Sequence, residues 1–401
     1  MRRHVAASKN KRAPKRARCC IFPGREKREP PRSLFHPLPS STFTFNLFFS
    51  FFFSLFFLSS RAEIAAVYDT PLLDLAFAAA RVHRAHHDPA MVQRCTLLSI
   101  KTGGCPEDCG YCSQSSHHKK VDLVAERLAD LDSVYEAALR AKAAGSTRFC
   151  MGAAWRGPSQ VGPRQWERVL EMVRRVRGLG MEVCTTLGML TPAQAAQLRE
   201  AGLTAYNHNV DTSPEFYAKV SSTRTYADRL ATLAAVAGAG VSVCAGGIIG
   251  LGEGPADRVG LLHTLATLPA HPESVPINAL VAVPGTPMEG NPPPSGLDIV
   301  RCVATARVVM PASVVRLSAG RKELSPGDQA LAFLAGANSV FDGDKLLTTA
   351  NADRDDDAAL FGALGLKSRP AFLPYGAGSE TSRAGAVEGG AGGAAGQRAL
   401  A

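Results

Sequence analysis

The sequence predicts an α/β fold of the (β/α)8, TIM-barrel type, from two patterns. Eight short runs rich in β-branched and apolar residues are spaced along residues 63–375, and amphipathic stretches of helical length separate them. Such alternation forces parallel pairing through crossovers, and eight strands close a parallel sheet on itself. A third observation agrees: a cysteine triplet directly follows the first run, on the side where such barrels carry their chemistry. An open doubly wound sheet is the alternative.

The 401 residues divide into three parts, 1–62, 63–375 and 376–401. Residues 1–62 read as a disordered leader. They hold 13 of the 45 basic residues, 2 of the 35 acidic ones and 11 of the 18 Phe. The apolar run from Leu47 to Leu58 is shorter than the roughly 20 residues a membrane helix needs. An organelle-targeting leader fits this basic, Ser-rich, acid-poor composition and points to a mitochondrial location. A secretory signal, or a stretch foreign to the mature protein, are the other readings. The rest of the chain nets −1 despite an overall +10, so no basic footprint calls for nucleic acid and no segment calls for a membrane.

In the body, the strands are expected at 95–101, 147–151, 182–187, 203–208, 241–245, 275–281, 313–317 and 338–341. Their Val, Ile, Thr and aromatic content favours a pleated, buried surface. Helices are expected at 126–144, 164–179, 191–201, 225–238, 256–268 and 296–309; in 164–179, Trp166, Val169, Leu170, Val173 and Val176 recur at helical spacing. Residues 376–401 are Gly/Ala-rich and read as a disordered tail.

The segment GGCPEDCGYCSQS places Cys105, Cys109 and Cys112 at Cys-x3-Cys-x2-Cys on a Gly- and Pro-containing loop. Such a loop lets three thiolates converge on one inorganic core. Iron–sulfur clusters normally take four cysteines, so three leave one iron open to a chelating ligand. A zinc site with His117 or His118 as fourth donor, or unligated thiols, are the competing readings. Cys150, Cys184 and Cys244 each fall inside an expected strand. One such cysteine alone reads as a small core hydrophobe; three on parallel strands can share a height in the barrel interior. No fourth thiol is expected beside them, because Cys302 falls on a helix and Cys95 opens the first strand. Arg316 on the seventh strand would ordinarily pair with an inward carboxylate.

The triplet spacing is the signature of radical S-adenosylmethionine enzymes. Together, KTGGCPEDCGYCSQSS, STRFCMGAAW, YNHNVDTSPEFY, SSTRTYADRL, AGGIIGLGE, PINALVAVPGTP, VRLSAGR and KLLTT resemble the biotin synthase family across about residues 66–368. The resemblance implies that dethiobiotin is converted to biotin by radical sulfur insertion. It implies a [4Fe–4S] cluster on Cys105, Cys109 and Cys112, and a sulfur-donating [2Fe–2S] cluster on Cys150, Cys184, Cys244 and Arg316. It also implies S-adenosylmethionine as cofactor, a reductase or ferredoxin-type electron donor, dependence on iron–sulfur assembly machinery, and a homodimer. Another radical reaction, or a non-catalytic iron–sulfur scaffold, would share the triplet alone.

Further site residues follow from position. Tyr111 is expected against the adenine, with a scaffold role as the alternative; Gly246 and Gly247 would let backbone approach the amino acid part of the cofactor. Asn207, Asn209, Asp211 and Asn278 at strand ends match the N–H and carbonyl groups of a neutral urea. Thr348 and Thr349 are expected on a carboxylate tail. No catalytic acid–base pair is expected, since the chemistry belongs to the clusters and the radical.

Overall fold

The computed structural model describes residues 60–343 and 345–373. The expected tail, and the leader apart from its last three residues, lie outside them. In chain order the first elements are helix α1 (Arg61–Tyr68), helix α2 (Leu72–His86) and strand β1 (Met91–Lys101). Then come α3 (Leu131–Ala143), β2 (Arg148–Ala153), α4 (Pro163–Gly178), β3 (Glu182–Thr186), α5 (Pro192–Glu200), β4 (Ala205–Asn207) and α6 (Tyr226–Gly238). The second half holds β5 (Ser242–Cys244), β6 (Gly247–Ile249), α7 (Pro255–Ala266), β7 (Ser274–Ala279), α8 (Gly296–Val309), β8 (Val314–Leu317), α9 (Pro326–Leu334) and β9 (Ser339–Asp342). A small hairpin, β10 (Lys345–Leu346) and β11 (Thr349–Ala350), precedes α10 (Arg354–Leu364) and β12 (Lys367–Ser368).

All pairings of the main sheet are parallel, and β1 pairs with both β2 and β9, so the sheet closes into the expected barrel. Local chemistry starts the helices where the strands end. Thr191, Thr225 and Ser325 form capping boxes with Gln194, Asp228 and Asp328, satisfying backbone donors that a helix start leaves unpaired. The core lies between the outward face of the sheet and the helices. Phe149, Met151, Val169, Val173 and Val183 are fully buried there, each worth about 1.5–3 kcal/mol over exposure.

Two departures from expectation bear on the site. The fifth strand is not one run over 241–245 but two short ones, β5 and β6, broken at Ala245–Gly246. The break is steric: a Cβ on Gly246 would lie 1.9 Å from the Pro276 carbonyl oxygen, so only glycine passes there. The first strand starts at Met91, so Cys95 lies in its interior, not at its mouth. Among the described residues, no helix is long and apolar enough to cross a membrane.

The N-terminal end of the barrel interior is closed by charge. Arg148 Nε donates to Glu182 Oε2 at 2.7 Å, and its Nη2 lies 2.7 Å from Glu273 Oε1. Gln93 donates to the same Glu182 oxygen at 2.9 Å. Two residues further along β2 and β3, on the same face, stand Cys150 and Cys184, opposite one another in register.

Candidate functional site

The triplet loop leaves β1 through Gly103 and Gly104, both at positive φ, and folds back on itself. Cys105 N–H donates to Gln114 O at 2.9 Å, Ser116 N–H to Cys105 O at 2.7 Å, and Cys112 N–H to Cys109 O at 2.9 Å. The two acids between the first cysteines anchor the loop to the segment before α6. Asp108 accepts from Ser221 Oγ at 2.7 Å and from the N–H groups of Ser222 and Thr223 at 3.0 and 3.2 Å, which holds its carboxyl below the usual range although burial opposes this. Glu107, buried, pairs with Arg156 Nη1 at 2.7 Å and with Arg224 Nε at 3.4 Å. Arg224 Nη2 then lies 3.2 Å from Cys109 Sγ, setting a cation beside a thiol that must ionise to bind metal. Neither Glu107 nor Arg224 was singled out from sequence; the acids inside CPEDC were the available signal.

His117 and His118 do not act as further donors. Their Nε2 atoms each lie 3.0 Å from loop carbonyls, of Pro106 and Cys109, and brace the backbone. Among the described residues, no three His, Cys, Asp or Glu side chains are drawn together around a single-ion site. Three thiols on one loop, all lining the same cavity, fit a multi-iron core that takes one thiolate per iron. Burial raises the Cys105 thiol and pushes Cys112 up to about 12, so a core must displace their protons as it binds.

The strand cysteines lie below, in the barrel interior. Cys150, Cys184 and Cys244 are buried and touch in sequence, Cys150 against Cys184 and Cys184 against Cys244. Arg316, only 1% exposed, forms no ion pair with a carboxylate among the described residues. Its Nη1 lies 3.9 Å from Cys244 Sγ, its Nη2 3.4 Å from Cys95 Sγ, and its Nε donates to Ser339 Oγ at 2.9 Å. The guanidinium thus faces two sulfurs, and its Nη2 also donates to Gln93 Oε1 at 3.4 Å. The expectation of no fourth thiol is corrected here: Cys95 packs with Cys150 and Cys184. The sequence hides this because the apolar run begins at Cys95, whereas the strand begins at Met91. Burial works to raise the Cys95 thiol, but contact with Cys150 and the Arg316 charge outweigh it and bring it to about 7.

Between the two sets of cysteines opens a cavity of about 320 Å³. Cys105, Cys109, Cys112, Cys150, Cys184 and Arg316 line it, with Tyr111, Asn207, Asn209, Asp211, Asn278, Thr348 and Thr349. Tyr111 also packs on the apolar group of Phe216, Ile248, Leu251 and Met288. Asn207 reaches Cys244 Sγ at 3.3 Å and Asn209 Oδ1 at 3.2 Å. Several polar side chains already have protein partners. Asp211, at φ 66°, is ion-paired with buried Arg229. Asn278 donates to Gly247 O at 2.8 Å and accepts from Ala319 N–H at 3.2 Å, stitching β7 to its neighbours. Thr348 Oγ1 lies 2.7 Å from Ser113 Oγ, and Thr349 donates to Leu346 O at 3.2 Å. Gly246 and Gly247 are absent from the cavity lining; the directions their side chains would take are filled by Pro276 and by Leu261. His208, which sequence did not single out, lines the cavity with its buried Nε2 unpartnered. Burial, with Arg229 and Arg224 nearby, holds it neutral.

Residues 99–265 match the radical SAM superfamily, and residues 276–367 match the biotin and thiamin synthesis associated domain. The biotin synthase of Methylobacterium sp. (strain 4-46) is 62% identical over 305 residues, covering 76% of this chain and 91% of the relative. The chain belongs to the biotin synthase family. A second relative, named mitochondrial biotin synthase, from Arabidopsis thaliana, is 59% identical over 312 residues, covering 78% of this chain and 82% of that one. Among solved structures, methylornithine synthase superposes with a TM-score of 0.67 at 20% identity, covering 78% of this chain and 95% of that one. The FeFe-hydrogenase maturase of Carboxydothermus hydrogenoformans gives 0.65 at 16%, covering 82% and 79%. These two speak to the barrel alone. As a biotin synthase, the protein is a radical S-adenosylmethionine sulfurtransferase that converts dethiobiotin to biotin, using a [4Fe–4S] cluster, a [2Fe–2S] cluster and S-adenosylmethionine. In this biotin synthase the two matched regions meet at the sixth barrel position: the first runs from within β1 through most of α7, the second from within β7 to β12.

Proposed function

We propose that the two sets of cysteines divide the sulfur-insertion reaction between them. Cys105, Cys109 and Cys112 hold the [4Fe–4S] cluster with one iron left for S-adenosylmethionine, and Cys150, Cys184, Cys244 and Arg316 hold the sulfur-donating [2Fe–2S] cluster. The observation that carries this reading is a single cavity lined by cysteines of both sets and by Arg316. Held by Cys105, Cys109 and Cys112, a reduced [4Fe–4S] cluster would supply the single electron that splits S-adenosylmethionine into methionine and a 5′-deoxyadenosyl radical. Two such cleavages remove one hydrogen atom from each of two substrate carbons. Two C–S bonds would replace those C–H bonds, the sulfide coming from the second core, whose two ferric ions would take up the two electrons released; that core is consumed as substrate.

The chain's own residues serve this chemistry by position. Arg224 sets a cation 3.2 Å from Cys109 Sγ. Tyr111 offers a ring held by its apolar neighbours to the cofactor's adenine. Asn207 and Asn209 present amide groups beside Cys244, suited to a urea. Thr348 and Ser113 offer hydroxyls for a carboxylate. Leu97, Trp155, Leu280 and Phe341 give the cavity an apolar wall, which keeps water from a carbon radical.

Anaerobically reconstituted protein, given dethiobiotin, S-adenosylmethionine and a reductant, is expected to yield biotin by mass. Cys109→Ala is expected to abolish 5′-deoxyadenosine release, while Cys184→Ala keeps part of that release and loses biotin. Equal cleavage in both variants would overturn the division. For location, the basic, acid-poor leader and the mitochondrial name of the plant relative support a mitochondrial address. Residues 1–62 fused to a fluorescent protein should carry it there, and diffuse fluorescence would refute the assignment.

A further inference from the structure

The interior thiols form a longer series than the three assigned to the second cluster. Cys95 is 0% exposed and packs with Cys150 and Cys184. Around the barrel, Cys95, Cys150 and Cys184 pack as one group, with Cys150 and Cys184 opposite in register, and Cys244 follows two strands on. Arg316 closes the circuit, with one guanidinium nitrogen 3.4 Å from Cys95 Sγ and the other 3.9 Å from Cys244 Sγ. Register accounts for the placement. Cys95 and Leu97 share a face of β1; Leu97 stands opposite Cys150 and Cys95 opposite Arg148, one step nearer the charged end, and Cys95 also pairs with Phe341 on β9, the neighbour of Arg316's strand. Besides these neighbours, Cys95 Sγ lies only 3.6 Å from Gln93 Oε1 and 3.8 Å from Ser339 Oγ. In the first the thiol donates to the amide oxygen, a hydrogen bond that a sulfur–iron bond would replace.

We propose that Cys95 is a fourth iron ligand of this pocket, able to take the position assigned to Arg316 and so keep the cluster bound when the guanidinium withdraws. This rests on the reading of Cys150, Cys184 and Cys244 as ligands of the second cluster. Four thiolates are the ordinary complement of a [2Fe–2S] core. An arginine must give up a proton to bind iron and holds it tightly, whereas a thiolate is the better donor for this metal. The exchange balances within the pair. The Fe–N bond to Arg316 breaks, an Fe–S bond to Cys95 forms, and the Cys95 proton passes to the released guanidine. Arg316 then stays as counter-charge on its bond to Ser339 Oγ at 2.9 Å.

The test uses the full chain carrying Cys105→Ala, Cys109→Ala and Cys112→Ala, so that bound iron reports the second centre alone. After anaerobic loading with ferrous iron and sulfide, iron per chain, Mössbauer and resonance Raman spectra are read under chelator competition. Arg316→Met is expected to retain the parent's iron with the spectrum of an all-thiolate core. Adding Cys95→Ser should cut retention roughly tenfold or more. Cys95→Ser alone, nearly isosteric and with Arg316 present, should lose iron to chelator faster than the parent. Equal retention and identical spectra with and without Cys95 would overturn the inference while leaving the second centre intact. A parent that takes up no iron would overturn the strand-cysteine reading itself and this inference with it.

Discussion

Removing the Glu107 carboxylate tests whether the triplet loop is held by charge. Glu107 is 2% exposed and faces Arg156 at 2.7 Å, Arg224 at 3.4 Å and the Thr223 hydroxyl. Truncation to alanine leaves Arg224, whose side chain is only 8% exposed, without that carboxylate beside Cys109. Breaking a buried pair from one side costs about 3–5 kcal/mol. Arg156, at 31% side-chain exposure, can turn to water, which brings the expected loss to about 2–3 kcal/mol. A body of roughly 310 residues has an unfolding entropy of about 0.65 kcal/mol/K, so Glu107→Ala should lower Tm by about 3–5 °C. Glu107→Gln keeps the shape and part of the hydrogen bonding and should lower it by about 1–2 °C. The loop should also release iron more readily, by roughly 10–100-fold under chelator competition, as when a partner that orients a metal ligand is removed. The assay pairs thermal unfolding with iron retention after anaerobic loading, using Glu136→Ala on the exposed face of α3 as control. A Tm within about 1 °C of the parent, together with unchanged iron retention, would refute the clamp.

Three further outcomes are expected. Burial and the Arg307 charge hold His83 and His87 neutral, down to about 2 and about 3. Their depressed values make a contribution that is complete above the unfolded value near 6.5 and is lost as pH falls from there toward 3, at about 1.4 kcal/mol per pH unit for each histidine. Melting temperatures from pH 7.5 to 5.0 should therefore fall with acid, and His87→Asn should flatten the slope; an unchanged slope would contradict the assignment. Gly246→Ala would press a methyl group onto Pro276, with the Cβ 1.9 Å from its oxygen, and should cost at least about 3 kcal/mol; denaturant unfolding with an unshifted midpoint would contradict it. Asn278→Ala strands the Ala319 N–H and the Gly247 carbonyl and should cost about 1–3 kcal/mol; wild-type stability by the same unfolding measurement would show those groups find other partners.

The sequence alone determined the barrel and the cysteine triplet after its first strand. The strand–helix alternation repeats locally, and Cys105, Cys109 and Cys112 lie within eight consecutive positions, so their spacing is readable without a fold. Family motifs added Arg316, which no periodicity would have marked as a partner for sulfur. Tertiary structure alone decided which side chains close the second set. Cys95 and Arg316 stand 221 positions apart in sequence and Asn207 and Cys244 37 apart, yet each pair meets inside the barrel. The same holds for the Glu107–Arg156–Arg224 clamp and for the break in the fifth strand. The reason is geometric. A strand's pattern tells which side chains share a face, but only the closed sheet, with its stagger between neighbours, sets which of them come to the same height.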